Sequence, residues 1–149
     1  MKLNSRVVVL ETMSRPLYVL ILLLSAAVYW RGHNEPGGGF IAALLASSAT
    51  VLWACTHGRE AALKRMPLQS PVKLGVLGVL LAAGSGIPGL LAGHSYMHHL
   101  WWNFPWIDLT TVQMFDLGVY FGVWGGIGGY AVELMALGDE DLAEEEARQ

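Results

Sequence analysis

His94, His98 and His99 are the densest group of metal-capable side chains in the chain, and the first two stand four residues apart. That spacing would place two imidazoles on one face of a helix. Their surroundings, "GHSYMHHLWWNFPW", offer no cysteine and no acidic cluster, and are too rich in aromatics and proline for a regular helix. No metal site and no cofactor are therefore expected. His33 and His57 fall in loops and read as solvated. Asp116 and Glu133 are carboxylates inside an apolar run, where an ionised group is costly and marks a functional contact by default. Both lie within about two turns of a helix end, so interfacial water or a neighbouring Lys or Arg can also satisfy them. Neither a Ser-His-Asp set nor a paired-carboxylate pattern stands out, and the chain is not expected to be an enzyme.

The other concentration of polar and backbone-permissive residues is "RGHNEPGGGF", residues 31–40, set between two apolar runs. Pro36 suits a first helical position, where its missing N–H is not needed. Asn34 or Glu35 would then cap the helix, and a Glu35 carboxylate would stand at the positive end of the helix dipole. Gly37, Gly38 and Gly39 each cost roughly 1 kcal/mol relative to Ala inside a helix. They must supply an unwound turn, or a surface on which another backbone lies flush. No "GKS" or "GKT" follows, which excludes a phosphate loop.

These residues sit in a frame dictated by composition. Of 149 residues 54% are hydrophobic and only 14% charged, with a mean hydropathy of +0.44. Soluble domains carry about 25% charged residues, so this chain reads as an integral membrane protein in contact with the lipid bilayer. Basic residues are too few and scattered for nucleic-acid binding. The single cysteine excludes an internal disulfide.

Apolar segments at about 13–30, 40–55, 72–91 and 114–137 predict an all-α bundle of about four transmembrane helices. Arg15 and Pro16 interrupt the approach to the first, and no small-residue cleavage site follows it, so no removed leader is expected. The division is 1–12 as a cytoplasmic or interfacial N-terminus, 13–137 as a four-helix transmembrane domain and 138–149 as an acidic cytoplasmic tail. Lys2, Arg6 and Arg15 precede the first span, and Arg59, Lys64, Arg65 and Lys73 surround the loop between the second and third. Arg31 alone lies on the other side. The positive-inside rule then makes both termini cytoplasmic and turns residues 31–40 and the Trp-rich loop outward. On the fourth segment Gly118, Gly122 and Gly126 recur every four residues, with Gly125 and Gly129 as a second row. Small residues at this spacing let another helix approach closely. With little interior of its own, the chain reads as part of a larger assembly.

"GHNEPGGGFIAALLASSA" and "FDLGVYFGVWGG", followed by "ALGDED", resemble the MnhB family of the Mrp (Mnh) multisubunit cation/proton antiporters over about residues 10–141. The family's motifs land on Gly32, His33, Asn34, Pro36, Gly37, Gly38, Gly39 and Phe40, and on Phe115, Asp116, Leu117, Gly118, Val119 and Tyr120. The resemblance implies an accessory membrane component of a bacterial or archaeal cell membrane. It would be required for assembly and for exchange of Na+ against H+, and partnered by subunits of the A, C, D, E, F and G types. It also implies an inter-subunit interface at the 33–40 turn near the cation path; Asp116, on a family motif, and Glu133 and Glu35, from their positions in the sequence, are the candidate ion-path or polar contacts. The same domain resembles part of membrane-bound hydrogenase-type respiratory complexes, the alternative setting. Glu35 fills a position where the family pattern leads one to expect a small or neutral residue.

Overall fold

A long first helix, α1 (Ser5–Arg31), runs straight through Pro16. It is followed by α2 (Gly39–His57), a short α3 (Arg59–Arg65) and a 3-10 turn at Pro67–Gln69. α4 (Pro71–Gly84) and α5 (Ile87–Leu91) form the third apolar segment, and α6 (Thr111–Val123) and α7 (Gly129–Ala147) the fourth. The computed structural model describes residues 5–32, 38–98, 100–103 and 108–148. Thr12–Arg31, Gly39–His57 and Pro71–Leu91 are each long and apolar enough to cross a membrane.

The chain is nearly all helical, with one departure from the all-α expectation. In the loop before α6, β1 (Trp101–Asn103) pairs antiparallel with β2 (Asp108–Thr110), in the register Trp101–Thr110, Trp102–Leu109, Asn103–Asp108. Aromatic residues favour this extended pairing. The hairpin delivers Thr110 as the N-cap of α6: its hydroxyl accepts from the Gln113 N–H while the Gln113 side chain accepts from the Thr110 N–H, each at 3.2 Å.

Two further boundaries move. The third segment is not one helix, because Ser85 and Gly86 form a turn between α4 and α5. In the fourth, the helix outruns the apolar stretch, since α7 continues through the acidic residues to Ala147. Between α6 and α7 the chain makes a π-turn, Trp124–Gly128, without leaving helical backbone angles.

α2 is the centre of the bundle. Half of its span is buried inside the protein, against 17% for α1 and 28% for the α4–α5 segment. Its buried stripe is made of small residues (Ala42, Ala43, Ala46 and Ala49, all fully buried), closed at the far end by Trp53. α1 lies on one side of this stripe, and α6 with the π-turn on the other. α4 packs on α6 from the far side.

The glycine rows of the fourth segment face this α4, a helix of the same chain. A Cβ on Gly118 would come 2.7 Å from the Gly78 carbonyl oxygen and 2.8 Å from the Ala82 Cα. A Cβ on Gly78 would meet the Gly118 carbonyl at 2.6 Å and the Gly122 Cα at 2.6 Å. Gly125 lies against Gly75 and Pro71, and Gly129 against Pro71. Spacing alone fits a helix of another protein equally well. The partner is α4, where Gly78 supplies the matching small surface and Gly75 brings its backbone against Gly125. Gly122 and Gly126 differ, with open space where their own Cβ would stand.

Gly118→Leu should therefore drive α4 and α6 apart and lower the stability of the detergent-solubilised protein by about 1–3 kcal/mol, the cost of overpacking. Gly126→Ala should leave it unchanged within about 0.5 kcal/mol. Denaturant titration of both variants checks the contrast.

Candidate functional site

At the end of the bundle where α2 begins, the two glycines of the turn that the structure describes have separate jobs. Gly38 is the N-cap of α2 with φ 101° and ψ −179°, a conformation open essentially to glycine alone. Gly39 is the first residue of the helix, and a Cβ there would collide with the backbone carbonyl of Asp116 on α6, its carbon 2.9 Å away. α2 thus lies flush on α6 at its first residue. The helix start expected at Pro36, capped by Asn34 or Glu35, falls at Gly39 instead; His33, Asn34, Glu35, Pro36 and Gly37 lie outside the described residues. Phe40 points outward, 52% exposed.

Asp116 is half-buried on the second turn of α6, with Oδ2 3.9 Å from where a Cβ on Gly38 would be. Gly38 offers no side chain to cap α2. The carboxylate stands beside the helix's unsatisfied N–H groups and the positive end of its dipole, where a negative charge is favoured by about 0.3–1 kcal/mol.

Below this joint a line of hydroxyls and aromatic rings stitches α1, α2 and α6 together. The Tyr29 hydroxyl donates to the Gln113 carbonyl at 3.1 Å. The Ser25 hydroxyl donates to the Ala42 carbonyl at 2.7 Å and lies 3.0 Å from the Tyr120 hydroxyl. The rings of Tyr29 and Tyr120 are in contact, centroids 5.6 Å apart. One turn further, the buried Trp124 at the head of the π-turn donates its indole N–H to Thr50 Oγ1 at 2.9 Å, and that hydroxyl donates to the Ala46 carbonyl at 3.0 Å. Ser47 Oγ is buried without a hydrogen-bond partner among the described residues, 3.3 Å from where a Cβ on Gly128 would sit. A π-turn carries one more residue than an α-helical turn and is often found at functional positions.

The opposite end is held by charge. Arg59, at the start of α3, donates through Nε and Nη2 to the two carboxylate oxygens of Glu133, each at 2.8 Å. Both side chains are near half exposed, so the pair contributes only about 0.2–1 kcal/mol. Sequence alone leaves Glu133 to interfacial water or an unspecified cation; its partner is on this chain. His57 is not a loosely solvated loop residue either. It closes α2, stacked on Trp53 at 3.9 Å with the rings 3° from parallel.

The structure brings His94 and His98 together, their rings stacked at 4.1 Å in the segment after α5, while His99 lies outside the described residues. Stacked rings direct their nitrogen lone pairs alongside each other rather than at one point. Among the described residues no three His, Cys, Asp or Glu side chains converge. Of the residues singled out by sequence, Gly38, Gly39 and Asp116 form one site, while Glu133 belongs to the other end. Ser25, Tyr29, Thr50 and Trp124 escape sequence reasoning. The available signals are hydroxyls four apart in an apolar run, at 25 and 29, and the double-glycine run "WGGIGG".

Residues 9–129 match the model of a family described as the domain related to the MnhB subunit of Na+/H+ antiporter. The chain is similar to the B-type subunit of the Na(+)/H(+) antiporter of Alkalihalophilus pseudofirmus, 32% identical over 145 residues that cover 94% of this chain and 98% of that one. It is also similar to a putative antiporter subunit mnhB2 of Staphylococcus aureus strain Newman, 31% identical over 125 residues, 80% of this chain and 88% of that one. Among solved structures it superposes on part of the Mrp complex from Dietzia sp. DQ12-45-1b with a TM-score of 0.73 and 33% identity. That match covers 86% of this chain but 14% of the other, so the same fold recurs there as a small part of a much longer chain.

If the Trp124–Thr50 bond joins α2 to the π-turn, Trp124→Phe and Thr50→Val should be non-additive. A double-mutant cycle in detergent should give a coupling of about 0.6 kcal/mol, and at most about 1.7 kcal/mol, the range for hydrogen bonds between membrane helices.

Proposed function

The chain belongs to the MnhB family, and from that membership we propose that it is an accessory membrane subunit of a multisubunit Na+/H+ antiporter, needed for assembly and exchange. It would act with the other subunits of such a complex, of the A, C, D, E, F and G types, rather than alone. Its own contribution is structural and electrostatic, and no catalytic chemistry is assigned to it.

The observation that carries this reading is the joint of Gly38 and Gly39 with Asp116. The two sequence motifs that mark the family, far apart in the chain, meet there in direct backbone contact. The first lies on the turn into α2 and the second on α6. Such a contact fixes the outer end of α2 against α6 and holds a carboxylate beside a helix N-terminus. We assign Asp116 and the turn residues 33–40 to the edge of the cation path, with Asp116 as a polar contact. Glu133 is given a lesser part, since Arg59 already neutralises it.

In this reading α6, the π-turn and the first half of α7 make a fourth span. Both termini and α3 are then cytoplasmic, because Arg15, Arg59, Lys64, Arg65 and Lys73 gather at that end.

The test is co-expression with the remaining subunits in cells stripped of their own antiporters, followed by pH-dye measurement of exchange in everted vesicles. Omitting this chain should abolish Na+-dependent proton exchange. Purified partners bearing iron–sulfur or nickel centres would favour the hydrogenase-type setting instead. Gly38→Leu should cut exchange at least tenfold, and Asp116→Asn, which keeps the packing, should reduce it less. Normal exchange by a fully assembled Gly38→Leu complex would remove the joint from the mechanism.

A further inference from the structure

At the end of α2 opposite the joint, two arginines stand without an acidic partner among the described residues. Arg65, the last residue of α3, lays its guanidinium over the Trp53 ring at 3.8 Å and over the Tyr18 ring at 5.3 Å from their centroids. The Tyr18 hydroxyl reaches the Arg65 carbonyl at 3.5 Å, tying α1 to the end of α3. The second, Arg15, sits one turn from Tyr18 on α1 and is exposed. Lys64 is exposed beside Arg65, with a 3.7 Å contact to Glu60 within its own helix. Arg59 nearby is engaged by Glu133, so it does not compete for this place.

Contact with Trp53 places the exposed Arg65 guanidinium, whose planar fork of N–H donors suits bidentate binding of a phosphate. A second polar group is unsatisfied in the same place. Trp53 is 3% exposed, and its indole N–H has no acceptor among the described residues. That N–H is enclosed by the protein, so the donors this cluster offers to a ligand are those of the exposed Arg65 guanidinium. Tyr18 and Trp53 are buried and form the floor of this end of the bundle, while the exposed Leu17 and Leu20 beside them on α1 present an apolar surface to the bilayer. The ligand must therefore combine a phosphate with an apolar body.

We propose that Arg65, seated over Trp53 and Tyr18, with Arg15 one turn from Tyr18 on α1, binds the phosphate headgroup of an anionic phospholipid. The site rests on the cytoplasmic placement of α3 proposed above, since it needs a leaflet carrying anionic lipid. It does not rest on exchange activity.

The assembled complex, purified in detergent and equilibrated with equal amounts of phosphatidylglycerol and phosphatidylcholine, should retain the anionic lipid, counted by mass spectrometry. Arg65→Ala should lower the retained phosphatidylglycerol about tenfold, the loss of one charge-assisted phosphate contact. Arg65→Lys should fall between the two, because it keeps charge but loses the fork. Lys73→Ala, an exposed cation on the first turn of α4, should have no effect. Equal retention by intact Arg65→Ala complex overturns the proposal. So does displacement of the lipid by millimolar inorganic phosphate, which would make the cluster a free-anion site. Loss of lipid from Arg65→Ala with exchange intact leaves the site standing, and an unsubstituted complex that retains the lipid but shows no Na+-dependent exchange counts against the antiporter reading alone.

Discussion

The structure depends on close backbone-to-backbone packing through residues that have no side chain. In a bilayer apolar side chains gain nothing by leaving lipid for one another, so helices associate only where their surfaces meet at short range. This chain builds two such contacts. One is α4 on α6, where Gly75 and Gly78 face Gly118, Gly122 and Gly125. The other is α2 on α6, where Gly39 rests on the Asp116 backbone. Both use α6, so that helix is the element against which the others are placed. The alanine stripe of α2 extends the principle into the middle of the bundle.

Close approach then determines where polar groups can go. With helices this near, a serine or tyrosine reaches the carbonyls of its neighbour, as Ser25 does at Ala42 and Tyr29 at Gln113. These bonds are individually small, yet each satisfies a group that would otherwise be stranded in hydrocarbon. They lie on one line between α1, α2 and α6, which gives the bundle a polar seam inside an apolar exterior. Trp124 and Thr50 continue it to the π-turn.

Hydropathy and charge asymmetry make the membrane class and the long helical segments legible, because these depend on summed composition. The value of Gly118 and Gly125 as packing residues is legible too, from their spacing. Their partner is not: Gly75 and Gly78 are only three apart in another segment, and a single sequence carries no pairing information. Pro36 is a strong local signal and misplaces the start of α2. α2 begins at Gly39, in close contact with the Asp116 backbone, a pairing across the chain that local signals do not carry. The short hairpin is hidden for a similar reason, since aromatic residues near a membrane serve equally as interfacial anchors and as strand formers.

The π-turn links the two carboxylates of the fourth segment. Asp116 precedes it and meets the beginning of α2; Glu133 follows it and meets Arg59 just beyond the end of α2. An inserted residue rotates everything after it by about 100° relative to an unbroken α-helix. Had the helix run on without the turn, an Asp116 seated at Gly38 and Gly39 would have carried Glu133 well away from Arg59. The glycines on either side of Ile127 permit the wider turn, and Trp124 fixes its position by bonding to Thr50 on α2. A single local irregularity therefore lets the fourth segment hold the start of α2 through Asp116 and the start of α3 through Glu133. The glycine-rich stretch therefore serves two ends, the wider turn and the close approach of Gly125 and Gly129 to the start of α4.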